Sequence, residues 1–353
     1  MKESIIQKAA AQYGNGVIKI EPLGEGLIHR TSKVSYSNGQ PEVVLQCINQ
    51  RTFSQPENII HNYLLVYEHL RKTTGPVNIP PLLPTHQHKY FWIDEEDNFW
   101  RATRFIPDSY SLRLAETEEH AYASARCFAE FTRSLTGIDT ALLNVIIPDF
   151  HNLQSRYHQF EESIGQASMM RLLRSTHVIS ELRQRKKLVE HYLQFTGTPD
   201  YPLRAMHHDC KISNILFDHS ETVICPVDLD TVMPGLFFSD IGDMIRSMAC
   251  SVDENSTAWE NIGIRGSYYQ AILNGYLDGI ENGLTEKEKT CIHYSGLIMI
   301  YMQSLRYVTD YLNNDIYYKT AYAEQNLNRA LNQFILLEHL EVYLEKEYNI
   351  HPG

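Results

Sequence analysis

Pro107 divides this chain into two kinds of sequence, and that division restricts the fold more than any other feature. Before it, apolar residues recur in short alternating runs separated by turn signals; after it, the apolar period lengthens to that of helices. Val17 to Ile20, Thr31 to Tyr36 and Val43 to Ile48 read as strands, with Asn38-Gly39 as a tight turn. Phe53 to Lys72 reads as one helix, and the proline-rich stretch Gly75 to Pro84 as irregular chain. Tyr90 to Asp94 and Phe99 to Ile106 then flank the turn Glu95-Glu96-Asp97-Asn98 as a second hairpin. Past Pro107, Thr117 caps a helix running to Leu135, with Glu118 and Glu119 in its first turn. Thr285 and Glu288 form a capping box for a helix running to about Leu312, and a last helix carries Leu327, Leu331, Phe334 and Leu337 on one face. This order predicts an α+β, bilobal molecule with a β-rich lobe over 1–106, a mainly helical lobe over 107–353, and a ligand cleft between them.

A chain of 353 residues with 43% apolar content can fill substantial cores. Its 31 Lys and Arg against 43 Asp and Glu leave a net charge of −12, which disfavours a nucleic-acid partner. Met1 to Gln12 offers no apolar core for a signal peptide, and the run Leu297 to Met302 is too short to cross a bilayer. A cytoplasmic protein without membrane association is therefore expected. Cys47, Cys127, Cys210, Cys225, Cys250 and Cys291 show no C-x-x-C pair, so reduced thiols are expected rather than a zinc site or a disulfide framework.

Chemistry concentrates between His207 and Asp230. Ile215 to Phe217 and Val223 to Val227 read as the strands of a hairpin whose polar turn is Asp218-His219-Ser220-Glu221. Centred near Glu221, that hairpin sets Asn214 opposite Asp228 at its open end, with Cα atoms about 4.5–5.5 Å apart. An amide oxygen and a carboxylate so placed can share one hard cation, and Mg²⁺ suits such a small protein contribution. Asp209, at the start of the same loop, can accept a proton from a substrate hydroxyl, and Lys211 can neutralise charge on a transferred phosphate. Adjacent His207 and His208 lack the spacing of a transition-metal site, and His207 is expected to brace the loop. Gly24 and Gly26 can bring backbone N–H groups over nucleotide phosphates, or simply form a turn.

The pattern H-x-D-x-K-x-x-N, with an Asp fourteen residues past the Asn, matches the catalytic and metal-binding segments of kinases. The chain resembles the aminoglycoside phosphotransferase and choline kinase superfamily, whose fold is protein-kinase-like, and more closely its N-acetylhexosamine 1-kinase branch. The resemblance rests on E-P-L-G-E-G-L-I-H from Glu21, V-L-Q-C-I-N from Val44, H-H-D-C-K-I-S-N-I-L from His207 and D-L-D-T-V-M-P-G from Asp228. It continues with D-I-G-D-M-I-R from Asp240, R-Y-V-T-D-Y-L-N-N-D-I-Y from Arg306 and Q-N-L-N-R from Gln325. It implies ATP as co-substrate with Mg²⁺, and a hinge at Arg104, Phe105 and Ile106 whose backbone meets adenine. It also implies a sugar pocket that includes Arg306 and Tyr317, with the segment Phe150 to Arg156 over it.

Gln46 stands where such kinases carry a lysine, and Asn58 and Asn62 stand where its glutamate partner is expected. Gln46 can still donate a hydrogen bond to nucleotide. His29 replaces an asparagine common in the wider superfamily. Asp230, on the same strand face as Asp228, is expected to touch a substrate hydroxyl or a second cation, with helix capping as its alternative. Asp240 and Asp243 are expected to brace the catalytic loop. For Arg306 the plain alternative is an ion pair with Asp310, and for Tyr317 core packing. Three readings follow: an anomeric kinase of N-acetylhexosamines, a kinase of amino alcohols or aminoglycosides, and a non-catalytic nucleotide- or sugar-binding module.

Overall fold

The alternation in the first hundred residues builds a five-stranded antiparallel sheet preceded by helix α1 (Glu3–Ala10). Its strands are β1 (Val17–Pro22), β2 (Arg30–Tyr36) and β3 (Val43–Cys47), then, after helix α2 (Pro56–Lys72), β4 (Trp92–Ile93) and β5 (Phe99–Arg104). Their spatial order is β1-β2-β3-β5-β4, so β3 and β5 are neighbours and set Gln46 directly opposite Arg101. The computed structural model describes residues 3–24, 28–37, 39–73 and 75–351, so Asn38 of the expected turn and Gly26 of the glycine loop lie outside the described residues. Helix α2 begins at Pro56 rather than Phe53, because proline fits a first helical turn, where no N–H is needed. The second hairpin is also shorter than its pattern suggests, since only Trp92 and Ile93 of its first arm pair with β5.

The remaining chain is mostly helical. It contains the short strand β6 (Ser109–Tyr110) and helices α3 (Glu118–Ser134), α4 (Leu153–Gln166), α5 (Met169–Gln184) and α6 (Lys187–Leu193). Strands β7 (Arg204–Met206), β8 (Ile215–Asp218), β9 (Val223–Pro226) and β10 (Met233–Gly235) follow. Helices α7 (Phe238–Met248), α8 (Gly266–Ile280), α9 (Glu286–Cys291), α10 (Tyr294–Leu312) and α11 (Gln325–Tyr348) complete it. Thr117 caps α3 by accepting from the His120 N–H. The Thr285–Glu288 capping box is formed, but the helix it starts ends at Cys291 and a second begins at Tyr294. Buried Glu288 is clamped by Arg204 at 2.6 and 2.8 Å, which pins α9, whereas α10 is buried on nearly every side.

One apolar cluster crosses the 106/107 line: Ile59, Ile60, Tyr63 and Val66 of α2 pack with Phe131 of α3, with Leu135 just past its end, and with Leu229 and Val232. Asn62 adds a polar clasp, its amide nitrogen donating to the carbonyls of Asn144 and Val232, each at 2.9 Å. Helix α2 is thereby attached to the segment that follows Asp228. Among the described residues no helix is long and apolar enough to cross a membrane.

Helices α3 and α8 approach closely because α8 carries Gly275 and Gly279 one turn apart, where a Cβ would collide with the carbonyl oxygens of Tyr122 and Arg126. Backbone cannot step aside as a side chain can, so Gly275→Ala is expected to cost about 1–3 kcal/mol of stability. A fall in the urea midpoint at constant slope would show it; an unchanged midpoint would mean that α3 yields.

Candidate active site

The loop after β7 is held from beneath by α7. Asp240, wholly buried near the start of that helix, accepts the His207 N–H at 3.0 Å and the His208 N–H at 2.8 Å. Those two bonds stabilise a left-handed backbone at His208, φ 67°, an uncommon conformation for a residue with a side chain. His207 braces the loop, with Nε2 3.1 Å from the Val227 carbonyl, the ring packed edge-on against Phe128 and Phe131, and its own carbonyl accepting from Thr231 Oγ1. Asp243, one helical turn on, pairs with Arg246 at 2.8 Å, and Arg246 reaches Glu254 at 2.8 Å.

On this platform stand Asp209, Lys211 and Asn214. Lys211 Nζ lies 3.1 Å from Asp209 Oδ2, and the Asn214 amide nitrogen donates to that same oxygen and to the Asp209 carbonyl, both at 2.9 Å. Burial pushes the Asp209 carboxyl up, but Lys211, His207 and the Asn214 hydrogen bond outweigh it and hold the group below the usual carboxylate range. It is therefore ionised at neutral pH and able to take a proton. Lys211 is pushed up, chiefly by Asp209, and stays charged. Because Asn214 spends its nitrogen on Asp209, its amide oxygen is the atom left for a cation.

Asp228 does not sit directly opposite Asn214. The hairpin turns over Ser220 rather than Glu221, with Phe217 opposite Val223 and the Asp218 N–H donating to the Thr222 carbonyl. A bulge between the Leu216–Cys225 and Phe217–Val223 pairs recovers only one of the two residues by which that turn falls short of the expected register. Asn214 consequently bonds Val227, whose N–H donates to its carbonyl at 2.8 Å. Asp228 follows in a left-handed conformation, φ 62° and ψ 57°, and remains accessible in the cleft. Its carboxyl is pushed above the usual range by the surrounding protein, by Asp230 and by Asp209. Crowded acids of this kind, beside an amide oxygen, suit a hard divalent cation.

Two expectations change on the sheet side. Gln46 does not point a spare amide at phosphate: its oxygen accepts from Arg101 Nε and Nη2 at 2.9 and 2.8 Å, and its nitrogen lies 3.3 Å from Thr31 Oγ1. Asp230 is not on a strand beside Asp228 but in a 3₁₀ turn over Leu229–Thr231, and both of its oxygens are spent. Oδ1 lies 2.5 Å from Arg101 Nη1 and Oδ2 lies 2.6 Å from His29 Nε2. So paired and only 2% exposed, Asp230 is enclosed by protein groups rather than presented at the cleft surface. The residue that sequence reasoning missed is Arg101, only 1% exposed. Its signal was a lone charge inside the apolar run Phe99-Trp100-Arg101-Ala102, next to a strand lacking its lysine.

At the connector, the N–H of Arg104 donates to Pro81 and that of Phe105 to Glu42, so Ile106 carries the one amide of the three without a hydrogen bond among the described residues. Gly24 has φ +69°, a backbone region that favours glycine, and a Cβ there would meet nothing within 4 Å.

On the helical side, Arg306 makes no ion pair with Asp310, which instead accepts the backbone N–H groups of Tyr317 and Tyr318 at 2.8 and 2.9 Å. The Arg306 guanidinium lies 4.8 Å from the Phe150 ring, 5.6 Å from Tyr318 and 5.9 Å from Tyr317, and donates to Gln303. Tyr317 is 49% exposed, so it is not core. Burial and neighbouring Arg306 together push the Arg156 guanidinium down to about 10. Phe150 also meets the His208 ring edge-on at 6.2 Å, which links this aromatic frame to the residue before Asp209. A cavity of about 560 Å³ opens against Phe150, His151, His208 and Ser239, but neither Asp209 nor Asp228 lines it.

Residues 19–282 match the phosphotransferase enzyme family. Among solved structures, a microcompartment-associated aminopropanol kinase superposes with a TM-score of 0.69 at 18% identity, over 98% of each chain. Spectinomycin phosphotransferase APH(9)-Ia, in complex with ADP and spectinomycin, gives 0.58 at 12% identity, over 95% of this chain and 97% of that one. Choline kinase from Cryptosporidium parvum gives 0.56 at 13% identity, over 98% and 97%. At these identities the likeness is one of fold.

Proposed function

Because the chain belongs to the phosphotransferase enzyme family, we propose that it transfers the γ-phosphoryl group of ATP to the anomeric hydroxyl of an N-acetylhexosamine, N-acetylglucosamine or N-acetylgalactosamine, giving the sugar 1-phosphate. The observation that carries the chemistry is the convergence of Asp209, Lys211, Asn214 and Asp228 in one cleft. In this reading residues 1–106 are the nucleotide lobe and 107–353 the catalytic and acceptor lobe. The Gly24 loop covers the phosphates, and adenine meets the Ile106 N–H and the hinge carbonyls. Asn214 and Asp228 would hold Mg²⁺, which would supply positive charge to offset that of the phosphates. Asp209 orients the acceptor hydroxyl and takes its proton, a modest demand since an anomeric hydroxyl is more acidic than an ordinary alcohol. Lys211 steadies the charge on the transferring group, so positioning supplies much of the rate.

The acceptor assignment rests on the sequence resemblance and on charge. An amino alcohol or aminoglycoside wants carboxylates around its ammonium, whereas the frame of Phe150, Tyr317 and Tyr318 holds the guanidinium of Arg306 with Arg156 close by. Such donors suit sugar hydroxyls and an acetamido carbonyl. ADP release measured over a panel of acetamido sugars, the corresponding hexoses, choline and aminopropanol tests this, with product identification by mass and NMR. Preference for the amines would replace this reading with the amino-alcohol one, and no Mg²⁺-dependent turnover with any acceptor would leave a binding module. Arg306→Ala is expected to lower kcat/KM for the acceptor by about 10- to 100-fold, the worth of a charge-assisted hydrogen bond, with KM for ATP unchanged. Equal loss for both substrates would remove Arg306 from the acceptor pocket.

A further inference from the structure

The segment Q-N-L-N-R from Gln325 opens α11, and its side chains hold two separate stretches of chain. Asn326, wholly buried, donates to Asp310 Oδ2 at 2.9 Å, and Asp310 in turn accepts the N–H groups of Tyr317 and Tyr318. One turn on, Arg329 Nε donates to Asn255 Oδ1 at 2.7 Å, and the Gln325 amide reaches the same oxygen at 3.2 Å. Asn332 adds bonds to the carbonyls of Asp253 and Ser256, at 3.2 and 3.0 Å. The same end of α11 therefore fixes both the tyrosine pair beside Arg306 and the loop after α7. Between the anchors of that loop stands Glu254.

Glu254 Oε2 accepts from Arg246 Nη1 at 2.8 Å, and its carboxylate also accepts from Tyr307, whose ring lies 4.8 Å from that of Tyr318. Arg246 holds a second acid, Asp243, but the Asp243 side chain is 5% exposed and that of Glu254 is 26% exposed. Of the two, Glu254 is the one that a ligand can reach. Burial pushes its carboxyl up, but Arg246, the Tyr307 bond and Lys211 outweigh burial and hold the group below the usual range. After Asp209 and Asp228, Glu254 is also among the acids that push Lys211 up, and it adds to the burial that pushes the Tyr318 hydroxyl up. It is an ionised acceptor set between the catalytic loop and the aromatic frame of Arg306.

From this placement we infer that Glu254 is a specificity-determining residue that accepts a hydrogen bond from a ring hydroxyl of the acceptor, while Arg306 donates to its acetamido carbonyl. The pocket then has an accepting group and a donating one, and an acetamido sugar carries both complements. Because Arg246 offsets the charge of Glu254, the carboxylate offers oxygen to a hydroxyl rather than an uncompensated charge to an ammonium. Held by buried bonds from α11, it is fixed before the sugar arrives.

The inference rests on the acetamido-sugar reading, and a cycle of substrate and protein changes separates the two. kcat/KM is measured for the wild-type protein and for Glu254→Gln with N-acetylglucosamine, N-acetylgalactosamine and analogues that each lack one hydroxyl other than the anomeric one. In the wild-type protein one such deletion is expected to lower kcat/KM by about 10- to 100-fold, the worth of a hydrogen bond to a charged group. In Glu254→Gln the intact sugar is expected to lose about 10-fold and the same deletion to cost no more than about 3-fold, because the bond it removes is already weakened. A carboxylate that only neutralises Arg246 would weaken the intact sugar and every analogue by one factor. Equal factors, or a wild-type protein indifferent to every deletion, would overturn the inference and leave the kinase reading intact. No turnover of any acetamido sugar would overturn that reading and this inference with it. Should Glu254→Gln fail to fold, Glu254→Asp keeps the charge beside Arg246 but draws the carboxylate back from the pocket, and the same loss of sensitivity to that hydroxyl is expected; undiminished sensitivity would overturn the inference.

Discussion

Asp209→Asn is expected to lower kcat by about 10²- to 10⁴-fold while Mg²⁺–nucleotide binding persists, the range for losing a positioned general base. The carboxylate is ionised at neutral pH because Lys211 and Asn214 stabilise its charge against the cost of burial. An amide in its place fills the same volume but accepts no proton, and Lys211 loses the negative partner that holds it. The nucleotide contacts assigned to Ile106 and the Gly24 loop lie on the other lobe, so calorimetric affinity for ADP should change little. The lowered carboxyl sets the sign of its own titration: Asp209 stays ionised as pH falls through the ordinary carboxylate range and takes up a proton only below it. A variant with wild-type kcat would exclude Asp209 from the reaction.

The second large effect is expected at Asp240, which touches no substrate. Asp240→Ala removes the acceptor of two backbone N–H groups at 3.0 and 2.8 Å and leaves them buried around a left-handed His208. Hydrogen bonds to a charged group are worth about 1.5–3 kcal/mol each, so a loss of roughly 3–5 kcal/mol is expected, together with most of the activity as the loop relaxes. Asp240→Asn should lose less, since one oxygen survives as an acceptor while the amide nitrogen faces the other N–H. Hydrogen exchange at His207 and His208 checks the cause directly. Protection retained in Asp240→Ala would show that the loop is held by His207 and Thr231 instead.

The parts legible in the sequence are those governed by near neighbours in the chain. Strand alternation, the Thr117 cap, the Thr285–Glu288 box and the hairpin after the catalytic loop each depend on residues a few positions apart, where backbone hydrogen-bond geometry makes spacing meaningful. The centre of that hairpin is not legible because every residue from Asp218 to Thr222 is polar, and the turn over Ser220 sets Asn214 opposite Val227 rather than Asp228.

The sequence by itself determined which chemical groups gather on the loop, Asp209, Lys211 and Asn214, because they lie within a few residues of one another. Tertiary structure alone decided what Gln46, His29 and Asp230 do. His29 and Asp230 are 201 residues apart and Arg101 is distant from both, yet the three meet in one buried cluster. A buried charge must find an opposite one wherever packing brings it. That partner is chosen by how the sheet settles on the helical lobe, which no local pattern of residues records.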